Sequence, residues 1–355
     1  MQPEVVFTMH RQMSLDGLRA CAILMVVAYH TATSQLPGGW MGVDLFFVLS
    51  GFLITRNLCA EQALAGRIDI GRFYLRRALR LLPAFAALLA FELLRALAEP
   101  AHQRAILGSI GLAASYMMNW NRAFDWAPQG YLGHSWSLAM EEQFYLLWPL
   151  LLVLLRRRAL PWLVVGLVAI TLWRQHLVFA GASFERTYNG FDTHADSLVL
   201  GAVLALLPGR AALVRQAGRS VLLPIGVLAG MGLTMPLYSV TTQAFGLSLS
   251  GLAAGWIVLA ALHQGWFARL LSHPLAVYVG RISYGWYLWH FPLIQIGAQY
   301  GGPAGKAAAA IGSLPIAMLS YHVIEAPFLR HKRRLAPPLG GMVHEAVPAG
   351  ARFPA

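Results

Sequence analysis

Apolar residues dominate the chain in long runs, and short polar segments punctuate them from residue 15 to residue 324. About eleven stretches have the length and apolar character of candidate membrane spans, near 15–33, 41–58, 81–98, 105–118, 138–155, 161–178, 192–207, 220–238, 245–263, 280–299 and 304–324. Their lengths predict helices, and the fold class read from the pattern is all-α, a polytopic membrane protein.

Basic residues orient the spans. The segments expected on the cytoplasmic side are the N-terminal tail, Arg67 to Arg80, the triplet Arg156, Arg157 and Arg158, Arg210 to Arg219, Arg269 to Arg281, and "RHKRR", because cytoplasmic loops collect Lys and Arg. From the triplet onward, basic and nearly uncharged loops alternate. The front half breaks the alternation: four candidates precede 119–137, and an even number places the triplet outside. One of the four should therefore not cross. The weakest is 105–118, which is short and holds Gly108, Ser109 and Gly111. The expectation is about ten crossings with both termini cytoplasmic, and 105–118 as a partial or interfacial helix; an inverted front half is the alternative. Residues 1–11 read as a cytoplasmic tail, 12–330 as one membrane domain, and 331–355 as a basic, then disordered, cytoplasmic tail. No cleavable signal pattern opens the chain, so the first span is expected to be an uncleaved anchor.

Composition narrows the class. Of 355 residues, 57% are hydrophobic and 12% charged, against about 25% charged in soluble domains, and mean hydropathy is +0.56. No separate soluble domain with its own core is expected. The formal net charge of +12 is explained by cytoplasmic loops, and no aromatic or basic motif points to nucleic acid. Cys21 and Cys59 form no pair motif, so neither a disulfide scaffold nor a metal site is expected.

The candidate chemistry begins in the first span, "SLDGLRACAILMVVAYHTA". Arg19 and His30 are eleven residues apart, close to three helical turns, so they share a face and lie roughly 16 Å apart along the axis. A charge inside a membrane helix costs ~2.5–3.5 kcal/mol on insertion scales and marks a polar interior. His30 has the chemistry of a general base; a packing histidine bonded to a helix carbonyl is the other reading. Arg72, Arg76 and Arg80 recur every four residues, with Arg77 among them, as a basic stripe that suits phosphates or anionic lipid. Glu141 and Glu142 lie in an apolar, aromatic run. Adjacent helical residues point about 100° apart, so one could support His30 while the other pairs with an arginine, or both could serve helix packing. Asp44 reads as a partner of His30 or as a helix-start residue. His194 and Asp196 line an acceptor site or form a packing network. Core packing is the favoured role for most of "RISYGWYLWHFPLI", with Arg281, Tyr284, Tyr287 and His290, and a structural salt bridge for Glu325.

Taken together, "LDGLRACAILMVVAYH", "GVDLFFVLSGFLIT", "FYLRRALRLLP", "HSWSLAMEEQFYLLWP", "ISYGWYLWHFPL" and "VIEAPF" resemble, in order, the membrane-bound type 3 acyltransferases. That family includes O-antigen, exopolysaccharide and Nod-factor acetylases and macrolide acylases. The resemblance spans roughly residues 12 to 330, and six ordered motifs are far more specific than any one. The family's arginine and histidine with ten residues between them match Arg19 and His30; its paired arginines match Arg77 and Arg80; its Trp-Ser-Leu and acidic motif matches Trp136, Ser137, Leu138, Glu141 and Glu142. Ten crossings is also the family's usual count.

The resemblance implies transfer of an acyl group, usually acetyl, from coenzyme A to a hydroxyl of a cell-surface or exported glycan or another acceptor, in a bacterial cytoplasmic membrane. The expected partners are acyl-CoA, the acceptor and membrane lipid, with no nucleic acid and no metal. Arg19, Arg72, Arg76, Arg77 and Arg80 are then expected to hold the coenzyme's phosphates. His30, supported by a carboxylate from Asp44, Glu141 or Glu142, would activate the acceptor hydroxyl, by direct transfer or through an acyl-enzyme. Some relatives carry an extracytoplasmic hydrolase-like domain after the membrane core, and this chain is expected to lack one. The alternatives are a transporter or flippase of an envelope precursor, a catalytically silent assembly protein, and acylation of a lipid or polyketide. The tryptophans of "NWNRAFDWAPQGYLG" suit sugar stacking and interfacial anchoring equally.

Overall fold

The computed structural model describes residues 13–334; the 1–11 tail and residues 335–355 of the second tail lie outside the described residues. Among the described residues the regular structure is helical throughout. The first helices are α1 (Met13–Thr31), α2 (Met41–Ala65), α3 (Ile70–Ala98), α4 (Gln103–Ala114) and α5 (Met118–Phe124). A 3-10 turn, Gly130–Ser135, leads into α6 (Trp136–Leu155), then α7 (Ala159–Phe179), α8 (Phe184–Asn189), α9 (Phe191–His194) and α10 (Asp196–Leu206). The remainder is α11 (Arg210–Arg219), α12 (Leu222–Thr234), α13 (Leu247–Leu262), α14 (Trp266–Leu271), α15 (Pro274–Ser320) and α16 (Ala326–Arg334).

Local chemistry sets several boundaries. Gly66, at φ 69°, ends α2 in the left-handed conformation that costs glycine least. Asp69 then caps α3 by accepting the Arg72 N–H at 2.9 Å, so the basic stripe begins inside a capped helix. In α15, Gly302 has φ 56° and ψ −146° and Pro303 follows it, which breaks the helix into two arms. A Cβ on Gly297 would lie 2.4 Å from the Gly305 carbonyl oxygen, and Trp286 Nε1 donates to Ser313 Oγ at 2.8 Å. The arms therefore fold back on each other, and they cover the apolar stretches 280–299 and 304–324.

Close backbone packing assembles the centre. A Cβ on Gly51 would meet the Leu198 carbonyl oxygen at 1.9 Å, and one on Gly201 would meet that of Val48 at 2.2 Å. Helices α2 and α10 thus touch through glycine, the packing that serves where lipid supplies no hydrophobic drive. Helix α1 lies along α15. Leu146, Leu150 and Leu154 of α6 and Val165 and Leu172 of α7 are exposed, which makes this the lipid-facing flank.

Among the described residues, five helices are both long and apolar enough to cross a membrane, the last being the kinked segment Pro274–His331; α10 with α11, bent by 116°, makes six. Helices α6 and α7, of 20 and 21 residues, also reach the ~30 Å of a hydrocarbon core at ~1.5 Å per residue. Helix α4 has 12 residues, about 18 Å, and falls short of it. Helices α10 and α12, with 11 and 13 residues, are shorter than the expected spans 192–207 and 220–238. The first is cut at Ala195, which separates α9 from α10, and the second unwinds before Pro236.

Candidate active site

The first functional element is a cavity of about 370 Å³ enclosed by α1, α2, α3, α6, α15 and the turn before α16. Five arginines line it, Arg19, Arg56, Arg77, Arg80 and Arg281, against three acids, Asp16, Glu141 and Glu325. Arg19 is held by Asp16 at 2.9 Å. The Arg77 guanidinium lies 3.4 Å from the Tyr145 ring centre and 3.5 Å from Glu142, so the ring face and the carboxylate fix its plane. Glu141 accepts a hydrogen bond from Ser50 Oγ. The excess of forked, planar cations equips this cavity for a phosphate-bearing ligand.

The second element is a cluster of three histidines at the opposite end of α1. His30 Nδ1 lies 3.0 Å from His290 Nε2, and the His134 and His290 ring centres are 5.7 Å apart. His134 and His290 are buried, while His30 is partly exposed. Its Nε2 lies outside the bond to His290, which leaves one imidazole nitrogen for a proton-transfer partner. Tyr287 connects the two elements: it lines the cavity, and its hydroxyl donates to the His134 carbonyl at 2.5 Å. The same hydroxyl lies 2.5 Å from Ser137 Oγ. One helical turn along α15, His290 faces the histidine cluster. The cavity and the histidine cluster are neighbours across this hydroxyl bridge.

The sequence-predicted residues divide between these places. Arg19, Arg77, Arg80 and Glu141 line the cavity, and Glu142 joins them through Arg77. Arg72 is exposed and pairs with Asp69 at 3.3 Å, and Arg76 pairs with Glu61 at 2.7 Å; neither is among the lining residues. A four-residue repeat drifts by about 40° per step, so the stripe does not stay on one face.

The expected carboxylate partner of His30 is corrected by the structure. Asp44 Oδ1 lies 3.0 Å from His194 Nε2, and Glu141 is engaged by Ser50; the residue at His30 is His290. The three acids are thus engaged by His194, Ser50 and Arg77. His194 and Asp196 belong to a buried packing network, since Asp196 is paired with the fully buried Arg174 at 2.8 Å. Glu325 lines the cavity, as do Arg281, Tyr284 and Tyr287, which core packing did not anticipate. His290 carried one signal in the sequence, as an ionisable residue inside a membrane helix, but aromatic neighbours outweighed it.

A helical membrane protein with a basic cavity beside a buried histidine cluster has the build of a membrane-embedded group-transfer enzyme. Residues 13–322 match the family described as Acyltransferase domain (Acyl_transf_3), and the chain belongs to that family. It is similar to the O-acetyltransferase OatA of Staphylococcus aureus strain NCTC 8325, with 32% identity over 341 residues, 88% of this chain and 56% of OatA. It is also similar to SACOL0978 of S. aureus strain COL, provisionally named an O-acetyltransferase, with 32% identity over 357 residues, 91% of this chain and 58% of that protein. The chain thus spans little more than half the length of the curated relatives it matches. No solved structure matches it.

Proposed function

We propose that the chain is an integral-membrane O-acyltransferase that moves an acyl group, acetyl in the first instance, from acyl-CoA to a hydroxyl of a cell-surface or exported glycan. The observation that carries this reading is the five-arginine cavity ending at Tyr287 and Ser137, one helical turn from the His290–His30 pair. Membership of the acyltransferase family and the similarity to OatA support the reaction class.

In this reading Arg19, Arg77 and Arg80, with Arg56 and Arg281, hold the pyrophosphate and ribose phosphate of the coenzyme. The thin pantetheine arm then carries the thioester toward His30, a path that requires the Tyr287–Ser137 contact to part. His30 Nε2 removes the acceptor's hydroxyl proton, and the oxygen attacks the thioester carbonyl carbon. The new C–O bond forms, the C–S bond breaks, and the leaving thiolate takes the proton from the imidazolium. Glu141 and Glu142 act on the donor side, by setting the position of Arg77 and the charge of the cavity.

The topology that suits this chemistry has ten crossings: α1, α2, α3, α6, α7, α10 completed by α9, α12 completed by the unwound residues that follow it, α13 and the two arms of α15. Both termini then lie in the cytoplasm of a bacterial cell, with the arginine cavity on the coenzyme's side. The basic triplet at Arg156 and the α11 arginines lie at that same end, in keeping with charge-directed orientation.

The test is mass spectrometry of ester-linked acyl groups on envelope glycans and secreted metabolites, in a deletion strain carrying either the wild type or His30→Ala at matched expression. An acyl mass that appears only with the wild type is the expected result. Equal acylation by both removes His30 from the mechanism, and no difference between deletion and wild type favours transport over transfer.

A further inference from the structure

The reading of His30 as a base leaves open what orients it, and the hydrogen bonds around His290 carry the answer. His290 is fully buried. Its Nδ1 lies 2.7 Å from the Tyr287 carbonyl oxygen and 3.1 Å from that of Trp286. Carbonyl oxygens only accept, so Nδ1 must carry hydrogen. A neutral imidazole has one N–H, which leaves His290 Nε2 as a bare acceptor. That acceptor faces His30 Nδ1 at 3.0 Å, and a bond at this distance requires the hydrogen to sit on His30 Nδ1. The lone pair of His30 is then confined to Nε2. The backbone of α15 thus dictates, through two rings, which nitrogen of His30 can act as base.

We propose that His290 is the positioning residue of the transfer reaction: it fixes the tautomer of His30 and shares the proton that His30 takes up. The proposal rests on the acyltransferase reading for its chemistry, but its tautomer assignment stands on the hydrogen bonds alone. When His30 Nε2 gains the acceptor's proton, the Nδ1 hydrogen either stays on His30 or passes to His290 Nε2. The charge is then spread over two rings, and both return to neutrality when the departing thiolate takes the proton from His30 Nε2 while the shared hydrogen settles back on His30 Nδ1. A carboxylate does the equivalent work beside many catalytic histidines; here a neutral imidazole does it.

The surroundings fit that role. The groups facing the pair are His134 from the 3-10 turn, Tyr29 from α1, Tyr287 from the first arm of α15, Arg122 from α5 and Lys306 from the second arm of α15. The Phe291 ring centre lies 5.0 Å from that of His30. None of these groups is an acid, and Arg122 is itself paired with Glu185 at 3.1 Å.

Two measurements on the purified full chain in nanodiscs test the proposal. The first is 15N NMR of histidine-labelled protein, with His30→Gln and His290→Gln used for assignment. Both rings are expected with hydrogen on Nδ1 and a bare Nε2, and in His290→Leu the His30 ring is expected to lose that fixed tautomer. A wild-type His30 with hydrogen on Nε2 overturns the proposal, whatever the protein's activity. The second is release of free CoA thiol from acetyl-CoA with water as acceptor, followed against pH. His290→Leu should lower kcat by about 100-fold, within the ~100- to 10,000-fold range of a general base, with the KM for acetyl-CoA unchanged. His290→Gln, whose amide can accept from His30 and donate to the Tyr287 carbonyl, should recover at least a tenth of wild-type kcat. In both variants the acid limb should move to lower pH, because His30 loses the imidazole that stabilises its charged form. Leu and Gln variants equal in rate with an unmoved acid limb, or a Leu variant within threefold of wild type, overturn it. A wild type with the expected tautomers but no thiol release defeats the acyl-transfer reading and leaves the tautomer assignment standing.

Discussion

Removing the carboxylate of Asp196 should cost the fold more than any other single polar deletion in its core. Arg174, on α7, is fully buried, and Asp196, on α10, is 3% exposed. The guanidinium meets the carboxylate at 2.8 Å, the Thr193 carbonyl at 2.6 Å and Ser248 Oγ, on α13, at 2.5 Å. Three helices are pinned at one charge. In Asp196→Leu the cation keeps only neutral acceptors in a medium without water, and breaking a buried pair this way costs about 3–5 kcal/mol. Arg174→Met strands the carboxylate and should cost a similar amount. Replacing both removes two desolvation penalties together, and the double variant should lie within about 1 kcal/mol of wild type. At ~2 °C per kcal/mol, the low end for larger chains, each single variant should unfold about 6–10 °C earlier. Tryptophan fluorescence during heating in detergent micelles reads the midpoint. Single variants within ~2 °C of wild type, or a double variant as unstable as the two losses added, refute the argument.

Other consequences separate the groups that share a motif. Arg77→Ala and Arg80→Ala should each weaken acetyl-CoA binding roughly 10- to 150-fold by calorimetry, the equivalent of one charge-assisted hydrogen bond of ~1.5–3 kcal/mol, whereas exposed Arg72→Ala should stay within about twofold. Because Asp44 holds His194 and not His30, Asp44→Ala should lower the unfolding midpoint by an amount equivalent to about 1–3 kcal/mol, and should leave the acid limb of the pH–rate profile in place; a moved limb refutes the assignment. A Cβ on Gly280 would lie 1.8 Å from the Asp16 carbonyl oxygen, so Gly280→Ala should push α15 off α1, cost about 1–3 kcal/mol and reduce the folded fraction recovered by size-exclusion chromatography.

The helical architecture was legible because a bilayer leaves helices and closed barrels as the only viable spans, and runs of apolar residues announce where helices must be. The Arg19–His30 face was legible for the same reason, since helical geometry converts eleven residues into a direction and a distance. Less could be read where partners come from distant segments. His290 is 260 residues from His30, and no period or spacing links them. Asp44 and His194, 150 residues apart, had the composition of a catalytic pair and the burial of a structural one.

The solvent this protein lives in, its helical class, its family through six ordered motifs, and the two residues at the ends of its polar interior are all written in the order of its amino acids. These follow from local rules: hydrophobicity, helical period and the cost of charge in hydrocarbon. Which arginines enter the cavity, which acid each histidine meets or lacks, and which nitrogen of His30 is free were set when the helices packed. Those outcomes depend on the rotation and depth at which α1, α2, α3, α6 and α15 pack, and that packing is settled by contacts between residues hundreds of positions apart.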